Sequence, residues 1–362
     1  MNKVKKFIGK MFKWIGIILL IIIAVIFILR SVGMGINKRT PKGGINESMY
    51  VDINGTKQWI NIYGQDKDNP VLLYLHGGPG SATSHLDYAF TRKWSDVYTV
   101  VTWDQRSAGK SYDKNSEISK ITKDMMLEDG KEMTEFLLDY TGKDKITLLG
   151  HSWGSIFGAN LALEYPEYYE AFIGTGQCID ITENERRLYA EEQKWTEGDE
   201  EGKAILAKWD IDNYTIESVR ARNAVMDRYG YGMMKDGTDY NLFTTFMFNP
   251  NYMVKDYFKL ITTAKTAIEP YMEFFGDGLK DCSLFGRYDY KVPYYNINGD
   301  MDYQTNYKMA CEYFDKVNAP DKKMYVMENG THGLLESRSE EFSGYVHEIA
   351  KFQKEQINTD KK

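Results

Sequence analysis

Residues Gly150-His151-Ser152-Trp153-Gly154 spell G-x-S-x-G, a pattern in which a serine stands on a sharp strand-to-helix turn between neighbours small enough to let it close. The chemistry such a serine could perform is acyl transfer. Its hydroxyl is a weak nucleophile at neutral pH, so a base must take its proton and an acid must orient that base. Histidine suits the base because it titrates near neutrality, and the chain has five. His76 belongs to an HGGPG run, His151 adjoins Ser152 and is read as pointing elsewhere, and His347 falls in an expected C-terminal helix. His85 comes before Ser152, whereas the expected order is serine, acid, histidine. His332, in the segment NGTHGLL, is left as the base. The acid should follow a late strand ahead of His332. NGDMD supplies Asp300 and Asp302, and Asp289 is a third candidate that precedes the strand. The oxyanion needs two backbone N–H donors, one of them expected at Trp153, directly after the serine. Gly78 of HGGPG is the expected second, since Pro79 has no N–H to give.

These residues need a scaffold, and the apolar runs supply one. Ser48 to Ile53 and Lys57 to Tyr63 flank Asn54-Gly55, a hairpin signal. Pro70 to Leu75, Tyr98 to Trp103, Ile146 to Leu149 and Ala171 to Thr175 read as buried strands, with a helix over Lys123 to Tyr140 and another over Ser155 to Tyr165. Apolar strands alternating with helices predict an α/β fold with a mostly parallel sheet covered on both faces. From Cys178 to Phe285 only helical segments rich in Tyr, Phe, Met and Trp occur, and strand-like runs resume at Val292 to Ile297 and Lys323 to Met327. The middle therefore reads as a helical cap inserted into one sheet. The expected division is 1–45 for tail, anchor and linker, 46–177 and 286–362 for the core, and 178–285 for the cap.

HGGPG at 76–80, WDQRSAGKS at 103–111 and GHSWGS at 150–155 together resemble the signatures of the prolyl iminopeptidases, serine peptidases of the α/β-hydrolase fold that remove N-terminal residues from short peptides. The resemblance is good over Val71 to Gly176 and moderate over Val292 to Gly333. It implies an acid at the end of a G-x-x-D segment, here Gly299 to Asp302, and so favours Asp302. It also implies cap glutamates that hold the substrate's free amine; Glu183, Glu185, Glu191 and Glu192 are candidates by position. One departure is Ser107, where the family has glycine after DQR; tolerance is expected in a turn. An esterase or lactonase with the same triad is the alternative, and a tethered binding protein without catalysis a remote one.

Composition narrows the partners. The net charge of −7 comes with no long basic run, which argues against nucleic acid. Cys178, Cys282 and Cys311 are too few and too scattered for a disulfide framework or a zinc site. No metal or cofactor is expected, because no His/Cys/carboxylate cluster has ligand spacing and no G-x-G-x-x-G occurs. Ile15 to Leu29 is wholly apolar apart from Gly16 and follows Lys3, Lys5, Lys6, Lys10 and Lys13. As a helix it spans roughly 22 Å, extendable by flanking apolar residues toward a bilayer's ~30 Å core. No small-residue cleavage site follows, so an uncleaved anchor is expected. The flanking charge puts the amino end in the cytoplasm and the remainder outside the cell membrane. Ser31 to Asn46 reads as a juxtamembrane linker.

Overall fold

Asn54 and Gly55 take φ of 44° and 75°, the geometry of a tight two-residue turn, and β1 (Ile45–Ile53) folds back antiparallel onto β2 (Thr56–Gly64). The computed structural model describes residues 2–113 and 120–360; the side chains of Lys3 and Lys5 lie outside the described ones. Six further strands complete the sheet: β3 (Val71–Leu75), β4 (Thr99–Asp104), β5 (Ile146–His151), β6 (Tyr169–Thr175), β7 (Tyr294–Gly299) and β8 (Lys322–Met327). Their order is β1-β2-β4-β3-β5-β6-β7-β8. β2 and β4 run antiparallel, and every neighbouring pair from β4 to β8 is parallel.

Every residue of β3, β4, β5 and β7 is buried because the pleat feeds two cores. Leu73, Leu75, Val101 and Leu148 point to the face covered by α3 (Lys123–Thr141) and α4 (Trp153–Glu164). Leu72, Tyr74, Val100 and Leu149 point to the other face, beneath Phe90 of α2 (Tyr88–Thr91), Leu334 of α11 (Leu334–Ser337), and Phe342 and Val346 of α12 (Ser339–Asp360). Continuous apolar strands with helices on both sides follow from that alternation. α10 (Tyr307–Lys316) joins β7 to β8.

Between β6 and β7 lie α5 (Ile181–Trp195), α6 (Glu200–Leu206), α7 (Ile216–Arg228), α8 (Leu242–Phe248) and α9 (Val254–Glu273). α5 to α7 bury a small core of their own, including Leu188, Leu206, Trp209 and Val225. Asn184 fixes this insertion to the core: its amide donates to the Gln304 carbonyl (2.8 Å), and its oxygen accepts from the Asn306 N–H (2.8 Å).

The N-terminal segment corrects one expectation. The linker expected over Ser31 to Asn46 shrinks to 38–44, because α1 runs from Asn2 to Asn37 and β1 starts at Ile45. Glycine in a helix costs about 1 kcal/mol relative to alanine, and docking offsets it here. The Phe248 ring packs against bare Gly33, whose added Cβ would lie 2.1 Å from it. Arg30 donates to the carbonyls of Phe246 (3.2 Å) and Met247 (2.6 Å), and Asn37 to that of Phe248 (2.9 Å). Lys6–Asn37 is long and apolar enough to cross a membrane, with none of its most apolar stretch buried in the protein.

Candidate active site

Ser152 sits between β5 and α4 with φ 57° and ψ −121°, a strained conformation that costs of order 1–3 kcal/mol and tends to accompany function. The turn is held by backbone: the Ser152 N–H donates to the Thr175 carbonyl (3.0 Å), and the Ser152 carbonyl accepts from the Ser155 N–H (2.9 Å) and hydroxyl (2.6 Å). The pattern's two glycines follow from sterics. A Cβ on Gly150 would lie 2.0 Å from the Gly154 carbonyl oxygen, and one on Gly154 2.0 Å from that of Leu75. Neither obstacle is a side chain that can swing away. Gly154→Ala should therefore cost more than about 4 kcal/mol or prevent folding, read as a lower urea midpoint or loss of soluble protein.

His332 follows β8 and Asp302 follows β7, so parallel strands bring both to the sheet end that carries Ser152. The His332 Nδ1 to Asp302 Oδ2 distance is 2.8 Å, with both side chains 1% exposed. Thr305 completes the unit: its N–H donates to Asp302 Oδ1 (3.0 Å), its hydroxyl donates to Oδ2 (2.8 Å), and that hydroxyl lies 3.1 Å from Nδ1. With the ring proton on Nδ1 facing the carboxylate, Nε2 keeps its lone pair. Nε2 is buried and has no hydrogen-bond partner among the described residues. Gly176 clears the ring's far side, where an added Cβ would lie 2.8 Å from His332 Cε1. Asp300 is exposed, and Asp289 accepts from the Asn318 amide (3.0 Å).

Contrary to expectation, His151 points toward His332 rather than elsewhere. Its Nε2–H donates to the His332 carbonyl (3.0 Å), and the two rings are 4.8 Å apart. Burial, reinforced by the neighbouring imidazole, pushes its pKa down to about 3. It is a neutral prop beneath the candidate base.

The HGGPG loop is tied to both other motifs. Burial lowers His76 to about 4, so its Nδ1–H donates to the Gly77 carbonyl (2.7 Å) while Nε2 accepts from the Gln105 N–H (3.2 Å). The Gln105 side-chain oxygen accepts from the Trp153 indole N–H (2.9 Å). Gly78 has φ +120°, and beside it an added Cβ on Gly77 would be 3.2 Å from Ser152 Cβ, so the HGGPG loop lies against the serine. Trp153 opens α4, where the first N–H groups of a helix lack intrahelical acceptors and favour negative charge. Behind the loop, buried Arg106 grips Asp129 through Nε (2.7 Å) and Nη2 (2.6 Å). Ser107 takes φ 56°, the left-handed conformation that glycine enters at least cost, which accounts for the family's glycine there.

The four cap glutamates divide. Hydrogen bonds from Arg186 and Arg187 hold Glu183 at about 2, and Arg187 also bridges to Glu312 of α10 (2.8 Å), so Glu183 fastens α5 to the core. Glu191 pairs with Lys194 at the surface (3.0 Å). Glu185 and Glu192 are buried, and Arg222 of α7 donates to Glu185 Oε1 (2.7 Å) and to the Tyr214 hydroxyl (2.9 Å). Glu185 Oε2 and both Glu192 oxygens have no partner among the described residues. Burial raises Glu192 to about 9, the Glu185 charge adding to the rise and Arg222 opposing it. Sequence reasoning missed Arg222, which is 37 residues from Glu185 with no motif around it, and Thr305.

Residues 70–338 match the family described as the alpha/beta hydrolase fold. The chain belongs to the α/β-hydrolase family. Among this hydrolase's relatives, a probable aminopeptidase of Bacillus subtilis, YbaC, is 25% identical over 307 residues, 78% of this chain and 89% of that protein. A proline iminopeptidase of Saccharolobus solfataricus is 32% identical over 151 residues, 40% of this chain and less than half (46%) of its own length. Solved structures share the fold. The proline iminopeptidase of Mycobacterium smegmatis superposes with TM-score 0.59 at 19% identity, covering 85% of this chain and 98% of that one. A bacterial membrane phospholipase A reaches 0.60 at 14% identity, covering 94% and 98%.

Proposed function

We propose that this hydrolase is a membrane-anchored serine aminopeptidase of the proline iminopeptidase type, acting on short peptides. The observation that carries the reading is the buried Asp302–His332 pair, its Nε2 unpartnered, at the sheet end where Ser152 occupies its strained turn. Ser152 Oγ attacks the carbonyl after the first residue as its proton passes to His332 Nε2. Asp302 stabilises the resulting imidazolium. The Trp153 N–H and an amide of the HGGPG loop, that of Gly78 or of adjacent Gly77, hold the oxyanion. His332 then gives its proton to the leaving amine, the C–N bond breaks, and an acyl-serine remains. Water, deprotonated by His332, releases the first residue and restores the serine.

Glu185 and Glu192 supply the preference for a free amine. Arg222 balances the Glu185 carboxylate, while Glu192 keeps its proton; a substrate ammonium takes the place of that proton's charge, lowering the raised pKa of Glu192 as it binds. Glu183 and Glu191 are engaged elsewhere. The helical cap, 178–285, brings these groups over the core, and α1 anchors the enzyme in the cell membrane with its catalytic part outside.

Glu192→Gln should raise KM for proline or alanine arylamides about 10- to 100-fold, the scale of one lost charged hydrogen bond, while hydrolysis of uncharged short acyl esters is unchanged. Its stability has a matching signature. The folded carboxyl keeps its proton up to about pH 9, whereas the unfolded one loses it near 4.5. The folded state therefore binds more protons between these values, and stability falls with rising pH across that window. The glutamine variant lacks this contribution to the decline, as urea unfolding at several pH values would report. Rapid ester hydrolysis without arylamide turnover would instead establish a carboxylesterase or lactonase with the same triad.

A further inference from the structure

Eleven large apolar side chains outside α1 are exposed among the described residues, and six of them fall between 242 and 261: Leu242, Phe243, Met253, Val254, Phe258 and Ile261. Phe243, Phe258 and Ile261 are 72, 70 and 77% exposed. Val254, Phe258 and Ile261 are spaced i, i+4, i+7, which places them on one face of α9. Scattered exposed apolar residues are ordinary, but a concentration on two adjacent helices marks an interaction surface.

Its position indicates the partner. Arg30 is the first charge after the apolar run that ends at Leu29, so it marks where α1 leaves the hydrocarbon. The last turn of α8 and the connection to α9 grip that residue. Arg30 donates to the carbonyls of Phe246, Met247 and Tyr252, and its guanidinium lies 5.8 Å from the Tyr257 ring centroid. Tyr257 in turn donates to the Phe246 carbonyl (2.8 Å), locking α9 to α8. The patch is thus fixed against the emerging anchor rather than hung from a flexible tether. Basic residues adjoin it in sequence: Lys38, Arg39 and Lys42 follow Asn37, which donates to the Phe248 carbonyl at the end of α8 (2.9 Å), and Lys255 lies in α9, all four exposed, while Asp256, the one acidic residue between 242 and 261, accepts from the Met253 N–H (2.7 Å). Apolar side chains with a basic border are the pattern of a surface that lies in the headgroup–acyl boundary.

We infer that the face formed by α8 and α9 is immersed in the surface of the bilayer that α1 spans, so the cap touches lipid directly. This rests on reading α1 as a membrane span. The test uses the full chain in vesicles of phosphatidylcholine and phosphatidylglycerol carrying brominated acyl chains. Cys311→Ser removes the partly exposed thiol, and an environment-sensitive fluorophore is attached at Phe258→Cys, Ile261→Cys, Leu20→Cys or Asp315→Cys in turn. Asp315 lies in α10 beside β8, the sheet edge opposite β1. Emission at 258 and 261 should shift to the blue and fall by roughly half, as expected at ~5–10 Å depth, with strong quenching at 20 and none at 315. Quenching at 20 without any at 258 and 261 would overturn the inference and leave the anchor standing. No quenching at 20 would overturn both.

Discussion

Ser152→Ala is expected to lower kcat/KM by about 10⁶-fold, or about 8 kcal/mol of transition-state stabilisation, while the protein folds as before. The loss is this large because the hydroxyl forms the covalent bond, and no neighbouring group can replace it. His151 immediately precedes Ser152, but its ring is engaged with the His332 carbonyl, and Ser155 donates its hydroxyl to the Ser152 carbonyl. Some rate should survive, because aligned oxyanion donors and substrate binding accelerate attack by water without a nucleophile. Stability should stay within about 0.5 kcal/mol, since the contacts that hold the turn, to Thr175 and Ser155, use the Ser152 backbone. Initial rates on a proline arylamide, paired with urea unfolding, measure both effects. A fold collapse in the alanine variant would mean the serine is structural.

Asp302→Asn should lower kcat by about 10⁴-fold with little change in KM. Asp302 now receives three donors: the Thr305 N–H, the Thr305 hydroxyl and His332 Nδ1–H. A carboxylate can accept all three, whereas an amide has a single acceptor oxygen and turns an NH₂ toward one of these positions. Facing His332, that NH₂ favours the imidazole tautomer with its proton on Nε2, and the lone pair needed for Ser152 is gone. The imidazolium also loses its counter-charge in a site where both side chains are 1% exposed. Asp300→Asn, at an exposed position, is the matched control and should leave kcat unchanged. Equal losses in the two variants would contradict the assignment of the acid.

Much of this site was legible because its parts recur at short range. Ser152 and its two glycines lie within five residues, and each glycine is required by a carbonyl that a Cβ would strike. The HGGPG and DQR runs were legible as motifs, but the bond from Gln105 to Trp153 that couples them was not, since it joins residues 48 apart. Chain order identified His332, and the resemblance rather than spacing separated Asp302 from Asp300. The glutamates were harder. A helix surface repeat cannot say which carboxylates are turned inward, so Glu183 and Glu191 looked equivalent to Glu185 and Glu192 until α7 brought Arg222 beside Glu185. The end of the anchor is hidden in the sequence for a related reason. Gly33 and Gly35, followed by Lys38, Arg39 and Lys42, read as a loop, whereas a long-range contact, Phe248 on Gly33, keeps the helix intact to Asn37.

The most direct test of the central claim is covalent capture of the nucleophile: the purified full chain is treated with a fluorophosphonate, digested and mapped by mass spectrometry. The account predicts one adduct per chain, on Ser152, absent from Ser152→Ala and formed far more slowly in Asp302→Asn. No adduct, or one on another residue that persists in Ser152→Ala, would contradict it.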